Sequence, residues 1–125
     1  MSLIQGMPLY IIRVKDLDRE IAFYRDGLGM TLTRHVEGRL AQFTIPTCGT
    51  LELLPGGEIV APVHDRREVQ HVAIYRVANV HGVVDRAVQH GATVVNAPFE
   101  FNENWLAYIA DPEGHVFGLS TMMAA

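Results

Sequence analysis

The chain has 125 residues, a formal net charge of −4, 49% apolar residues and 19% charged residues. That is enough for one ordinary domain with a core of its own and too little for two. The acidic balance excludes the basic face that nucleic acid requires, no apolar run reaches the roughly 20 residues of a membrane-spanning helix, and a lone cysteine, Cys48, excludes an intrachain disulfide or a cysteine-based zinc cluster.

In chain order, PLYIIRV (8–14) reads as a short buried strand, rich in β-branched and aromatic side chains. Asp16 is placed to cap a helix whose Leu17, Ile21, Tyr24 and Leu28 recur at helical spacing, with Gly27 and Gly29 at its end. Strands follow at about 30–35, 39–45 and 49–54, the first two joined by a tight turn at Glu37-Gly38. Residues 56–69 hold glycine, proline and mixed charge and read as a linker; its run Asp65-Arg66-Arg67-Glu68 reads as a solvated loop, and Val60 and Val63 are candidates to dock on a neighbour. The pattern then restarts. HVAIYRV (71–77) is a strand and Asn79 a helix cap. Val80, Val83, Val84, Ala87 and Val88 form the second helical stripe, closed by Gly91. Strands are expected at 92–95, 104–110 and 115–120, the last two joined by Asp111-Pro112-Glu113-Gly114, which has turn chemistry at every position.

The halves superpose at a constant shift. Ile11-Ile12-Arg13-Val14 matches Ile74-Tyr75-Arg76-Val77, Leu17 matches Val80, and Ile21 matches Val84. The chain is therefore expected to be one α+β domain over 1–125, built as two tandem βαβββ modules at about 7–55 and 70–121 around the 56–69 linker. Each helix covers one face of its sheet, which leaves the other face for a partner module, a partner chain or a ligand.

The segments RVKDLDREIAFYRDGLGM (13–30), LELL (51–54), HVAI (71–74) and ADPEGHVFGL (110–119) resemble the vicinal oxygen chelate superfamily, which holds glyoxalase I, bleomycin-resistance proteins, fosfomycin-resistance proteins and extradiol dioxygenases. The resemblance covers nearly the whole chain. It implies that the two modules form a curved mixed sheet with a central cleft. In metal-dependent members that cleft holds one divalent cation, of the Mn, Fe, Ni, Co or Zn type, that polarises vicinal oxygens of the substrate.

Carried over residue by residue, the resemblance assigns four metal-ligand positions, and two of them hold no donor. The first-strand position is Leu9, which has no lone pair. The last-strand position is Gly118, which has no side chain. Glu52 on the fourth strand and His71 on the fifth keep donors, whereas cation sites generally have three protein ligands. The internal repeat pairs Leu9 with Val72, so either His71 or Val72 faces the cleft; a β-bulge near Tyr75-Arg76 would turn His71 inward. A three-residue DPEG loop would pair Asp111 with His115 and set Tyr108 opposite Gly118. Gly118 then widens a pocket beside that ring, or it marks close packing.

Leu9, Arg13, Gln42, Glu52, His71, Tyr108 and Gly118 are thus the expected ligand-binding residues, with Glu52 and His71 the candidates for catalysis or residual metal ligation. Trp105 reads as a core or rim residue, His35, His64, His81, His90 and His115 as surface or turn residues, and Cys48 as inert. The expected function is binding of a small organic molecule without a metal, in a cytoplasmic protein that forms a homodimer and uses neither nucleic acid nor membrane. Three alternatives stand beside it: a metal-dependent lyase, isomerase or extradiol-type dioxygenase; a metal-free acid/base enzyme using Glu52 and His71; and a module that only docks on another protein.

Overall fold

The computed structural model describes residues 2–122. The chain divides into two compact units, one ending at Glu58 and the other beginning at Ile59. Each is a tandem module of the same α+β plan.

In the first unit, β1 (Leu9–Val14) leads to α1 (Leu17–Ala22), and then to β2 (Thr31–Val36), β3 (Leu40–Ile45) and β4 (Gly49–Pro55). The four strands form a mixed sheet in the order β1-β4-β3-β2, with β1 parallel to β4 and the other pairs antiparallel. Asp16 caps α1 as its residue type predicts, its carboxylate accepting the Arg19 N–H at 3.1 Å. The helical stripe does not run on to Leu28 in α geometry. A π-turn over Phe23–Gly27 follows α1, closed by the Leu28 N–H to the Phe23 carbonyl at 3.1 Å. The wider turn carries both Phe23 and Tyr24 into the core, where their rings meet edge to face at 5.2 Å. Leu51 and Leu53 of β4, Ala41 and Phe43 of β3 and Val14 of β1 complete this core, every one of them fully buried. Burial of each large side chain contributes roughly 1.5–3 kcal/mol.

The second unit repeats the plan with β5 (Ala73–Arg76), α2 (Val80–Gln89), β6 (Thr93–Phe101), β7 (Asn104–Ala110) and β8 (Val116–Ser120), in sheet order β5-β8-β7-β6. Each module thus contributes one mixed sheet of four strands, as the tandem α+β plan predicts. Asn79 caps α2 through the Gly82 N–H at 3.0 Å. Val80, Val84 and Ala87 are buried while Val88 stays exposed, because the buried stripe of this short helix is narrower than its apolar one.

β6 runs well past the expected 92–95. It continues through Pro98 to Phe101, and its register with β7 slips on either side of Asn96. Pro98 has no N–H for a ladder, so an irregularity is where a strand can accept it. Asn102 and Glu103, both at positive φ, then make the two-residue turn into β7.

Candidate functional site

Each sheet has one face packed under its helix and one face turned from it. On the first sheet, strand alternation puts Leu9, Ile11 and Arg13 on the face turned from α1, and all three are exposed. The register aligns Ile11 with Glu52, Glu52 with Gln42, and Gln42 with Arg34, which makes one row across that face. Glu52 therefore lies on the face turned from α1, beside Ile11 and Gln42. It is half-buried, and its Oε1 accepts a hydrogen bond from Gln42 Nε2 at 2.8 Å. A carboxylate fixed by one donor keeps its other oxygen available to accept from a ligand.

The equivalent row of the second sheet is Ile74, Gly118, Tyr108 and Asn96. Tyr108 stands opposite Gly118, and the turn that sets this register has the expected form: Gly114 lies at φ +95°, and the Asp111 N–H donates to the His115 carbonyl at 2.9 Å. Asp111 also ties the loop internally, accepting from the Glu113 and His115 N–H groups and from His115 Nδ1. Gly114 is doubly constrained, since a Cβ there would meet the Val60 carbonyl oxygen at 2.5 Å. Val60 of the linker thereby docks on this turn, its N–H donating to the Glu113 carbonyl at 2.8 Å.

Gly118 is not an open space. A Cβ built on it would lie 3.0 Å from Ile74 Cγ1 and 3.2 Å from Tyr108 Cε1. The volume that a side chain would have taken is filled by the flank of the Tyr108 ring and by Ile74. The widened pocket expected at this position is replaced by close packing.

His71 is exposed and precedes β5. The expected bulge at Tyr75-Arg76 is absent: Ala73 to Arg76 pair with Phe117 to Ser120 in unbroken register. With no residue inserted, Ile74 stays on the face turned from α2, and Tyr75 packs against Phe117 on the helix side at 5.5 Å. Trp105 is a rim residue, its ring 4.6 Å from that of His81 on α2.

The linker holds what sequence reasoning missed. Asp65-Arg66-Arg67-Glu68 is not a free solvated run but a single 3-10 turn, Arg66–Glu68, with a reciprocal capping box. Asp65 accepts from Arg67, and Glu68 Oε2 accepts the Asp65 N–H at 2.7 Å. The turn is latched to the second sheet. Asn96 Oδ1 accepts the Arg66 N–H at 2.8 Å, and Asn96 Nδ2 donates to Asp65 Oδ1 at 3.0 Å. The Arg67 and Asn96 hydrogen bonds hold the Asp65 carboxyl well below the usual carboxylate range. Above the turn's own backbone, the Arg66 guanidinium lies over three rings, at 5.0 Å from Phe99 and 5.8 Å from each of Phe101 and Tyr108. The irregular stretch of β6 makes this possible, since it brings Asn96, Phe99 and Phe101 to the same face as Tyr108. The spacing Asp65-x-x-Glu68 is the sequence signal that predicts such a cap.

The model of the Glyoxalase/Bleomycin resistance protein/Dioxygenase superfamily matches residues 6–119. The chain is similar to a lactoylglutathione lyase of Haemophilus influenzae, at 29% identity over 84% of each chain. It is also similar to a probable lactoylglutathione lyase of Vibrio cholerae, at 27% identity over 87% of this chain and 85% of that one. Among solved structures, a fosfomycin resistance protein of Listeria monocytogenes complexed with Mn(II) and a dihydroxypropylphosphonic acid shares the fold. Its TM-score is 0.76 at 15% identity, covering 98% of this chain and 94% of the other. No helix among the described residues is long and apolar enough to cross a membrane.

Proposed function

Since this chain belongs to the Glyoxalase/Bleomycin resistance protein/Dioxygenase superfamily, we propose that it binds a small organic molecule on the sheet faces turned from its helices, without the cation that metal-dependent members hold. The observation that carries this reading is Gly118. Its missing side chain is not merely absent, because the Tyr108 ring and Ile74 occupy the place. Leu9 offers no lone pair, and His71 lies outside its strand. Glu52 is the one donor of the four that stands on a strand face. These residues do not fit a cation, which generally takes three protein ligands. What they fit is an apolar ligand body with a few polar anchors. On the first sheet, Leu9 and Ile11 are exposed apolar groups and Glu52, Gln42 and Arg13 supply hydrogen bonds and charge; on the second, Ile74 is an exposed apolar group. A homodimer and a cytoplasmic setting go with the same reading.

Metal content decides it. Protein purified without chelators and reloaded separately with Mn, Fe, Ni, Co and Zn is expected to hold no stoichiometric metal, and to gain melting temperature with members of an aromatic ligand panel. A second reading, a metal-dependent lyase of the kind its curated relatives are named for, is favoured by one observation, the fixed carboxylate of Glu52. Stoichiometric metal that is lost on Glu52→Ala, together with lactoylglutathione lyase activity, establishes that reading and overturns the first.

A further inference from the structure

A ligand on the second sheet meets a cation that the sequence alone leaves in solvent. Arg66 is half-buried, with its guanidinium over Phe99, Phe101 and Tyr108. Ring quadrupoles attract the cation. Rings supply no oxygen acceptor, so the contact does not use up the five N–H donors of the guanidinium. Among the described residues no acceptor takes any of them; Arg66 donates only through its backbone N–H, to Asn96. The nearest carboxylates in sequence are committed elsewhere. Asp65 Oδ2 accepts Arg67 Nε at 2.7 Å, and Glu68 Oε2 accepts the backbone N–H groups of His64 and Asp65 at 2.6 and 2.7 Å. The main chain beneath Arg66 is fixed by the Asn96 latch, so the cation is held in place before any ligand arrives.

We infer that Arg66 is an anion-recognition residue, and that the ligand of the second sheet is an amphipathic or aromatic carboxylate. The planar carboxylate matches the guanidinium fork through two parallel N–H···O bonds. The apolar body lies against Phe99 and the exposed Phe101, on the same face as Ile74. Lysine does not replace arginine here, because it lacks both the fork and the flat face. This inference rests on the reading that the chain binds a small organic molecule, and it names the chemistry of that molecule.

The probes are 2-naphthoate and its neutral counterpart 2-naphthamide, titrated by NMR into the wild type, Arg66→Gln and Arg66→Lys, with the rings of Phe99, Phe101 and Tyr108 as reporters. In the wild type the carboxylate is expected to bind about tenfold more tightly than the amide, as a charge-assisted pair predicts. Arg66→Gln abolishes that preference and Arg66→Lys keeps only part of it. Should Arg66→Gln fail to fold, the wild-type preference still has to shrink as salt is raised. Equal affinities in the wild type, or a preference that survives Arg66→Gln, overturn the role of Arg66 while leaving the ligand reading intact. No ring shift with either probe up to about 10 mM overturns the role of Arg66 as well. The ligand reading fails separately, by the absence of any melting shift across the aromatic panel.

Discussion

The two sheets carry the same row on the same scaffold and put different chemistry in it. On the first, the row is Ile11, Glu52, Gln42 and Arg34. On the second, it is Ile74, Gly118, Tyr108 and Asn96. Where the first sheet has a carboxylate held by an amide at 2.8 Å, the second has a glycine roofed by a tyrosine ring. The strand plan is repeated, so within the row the difference is one of side chains. A duplicated fold thus holds a hydrogen-bonded carboxylate in one module, and in the other a group of aromatic rings with a guanidinium beside them. The strand positions are common property of the fold; the chemistry is decided one side chain at a time.

The largest break in this comparison is Gly118→Glu, which gives the second row the residue type of the first. Its Cβ would already press on Ile74 and Tyr108 at 3.0 and 3.2 Å in a buried strand. Loss of about 2–3 kcal/mol is expected in urea unfolding, from overpacking alone. If the variant is as stable as the wild type, the close packing described for Gly118 is wrong.

Asn96→Ala is the intermediate case. It removes the group that both accepts from Arg66 and donates to Asp65, and a loss of about 1 kcal/mol is expected. The more telling readout is hydrogen exchange, in which residues 65–69 should lose protection while β1 and β4 keep theirs.

Acid gives the smallest effect and sharpens the same contrast. Asp65 has its carboxyl depressed by Arg67 and Asn96, so the unfolded chain binds its proton more readily than the folded one. The latch's contribution is complete above the ordinary carboxylate pKa of about 4 and fades as the pH falls below it toward the depressed folded value. Protection at 65–69 should therefore be flat from neutral pH down to about 4 and decline only below that. A decline beginning near pH 6 would contradict the assignment to Asp65.

Several features of the site were legible in the residues themselves. The DPEG turn predicts the Asp111–His115 pairing, and that pairing predicts Tyr108 opposite Gly118, because alternation in a hairpin follows from its turn. The internal repeat places Ile74 like Ile11, and both are exposed on corresponding faces. A bulge at Tyr75-Arg76 is what would turn His71 rather than Val72 inward, and the unbroken β5–β8 register removes it. The loop at 65–68 was misread because charge density alone suggests solvent, whereas its partner, Asn96, lies 30 residues further on.

What the sequence by itself determined is the duplication, the helix caps at Asp16 and Asn79, the turn types, and which strands follow one another. All of these are set by periodicity and by residues within a few positions of one another, where the relevant forces are local. Only the tertiary structure decided what fills the space at Gly118, how Glu52 is held, and that Arg66 lies over three aromatic rings. Those contacts join residues brought together by sheet register and by the irregular stretch of β6. A side chain's neighbours in a packed sheet depend on strands far away in the chain, so no local pattern encodes them.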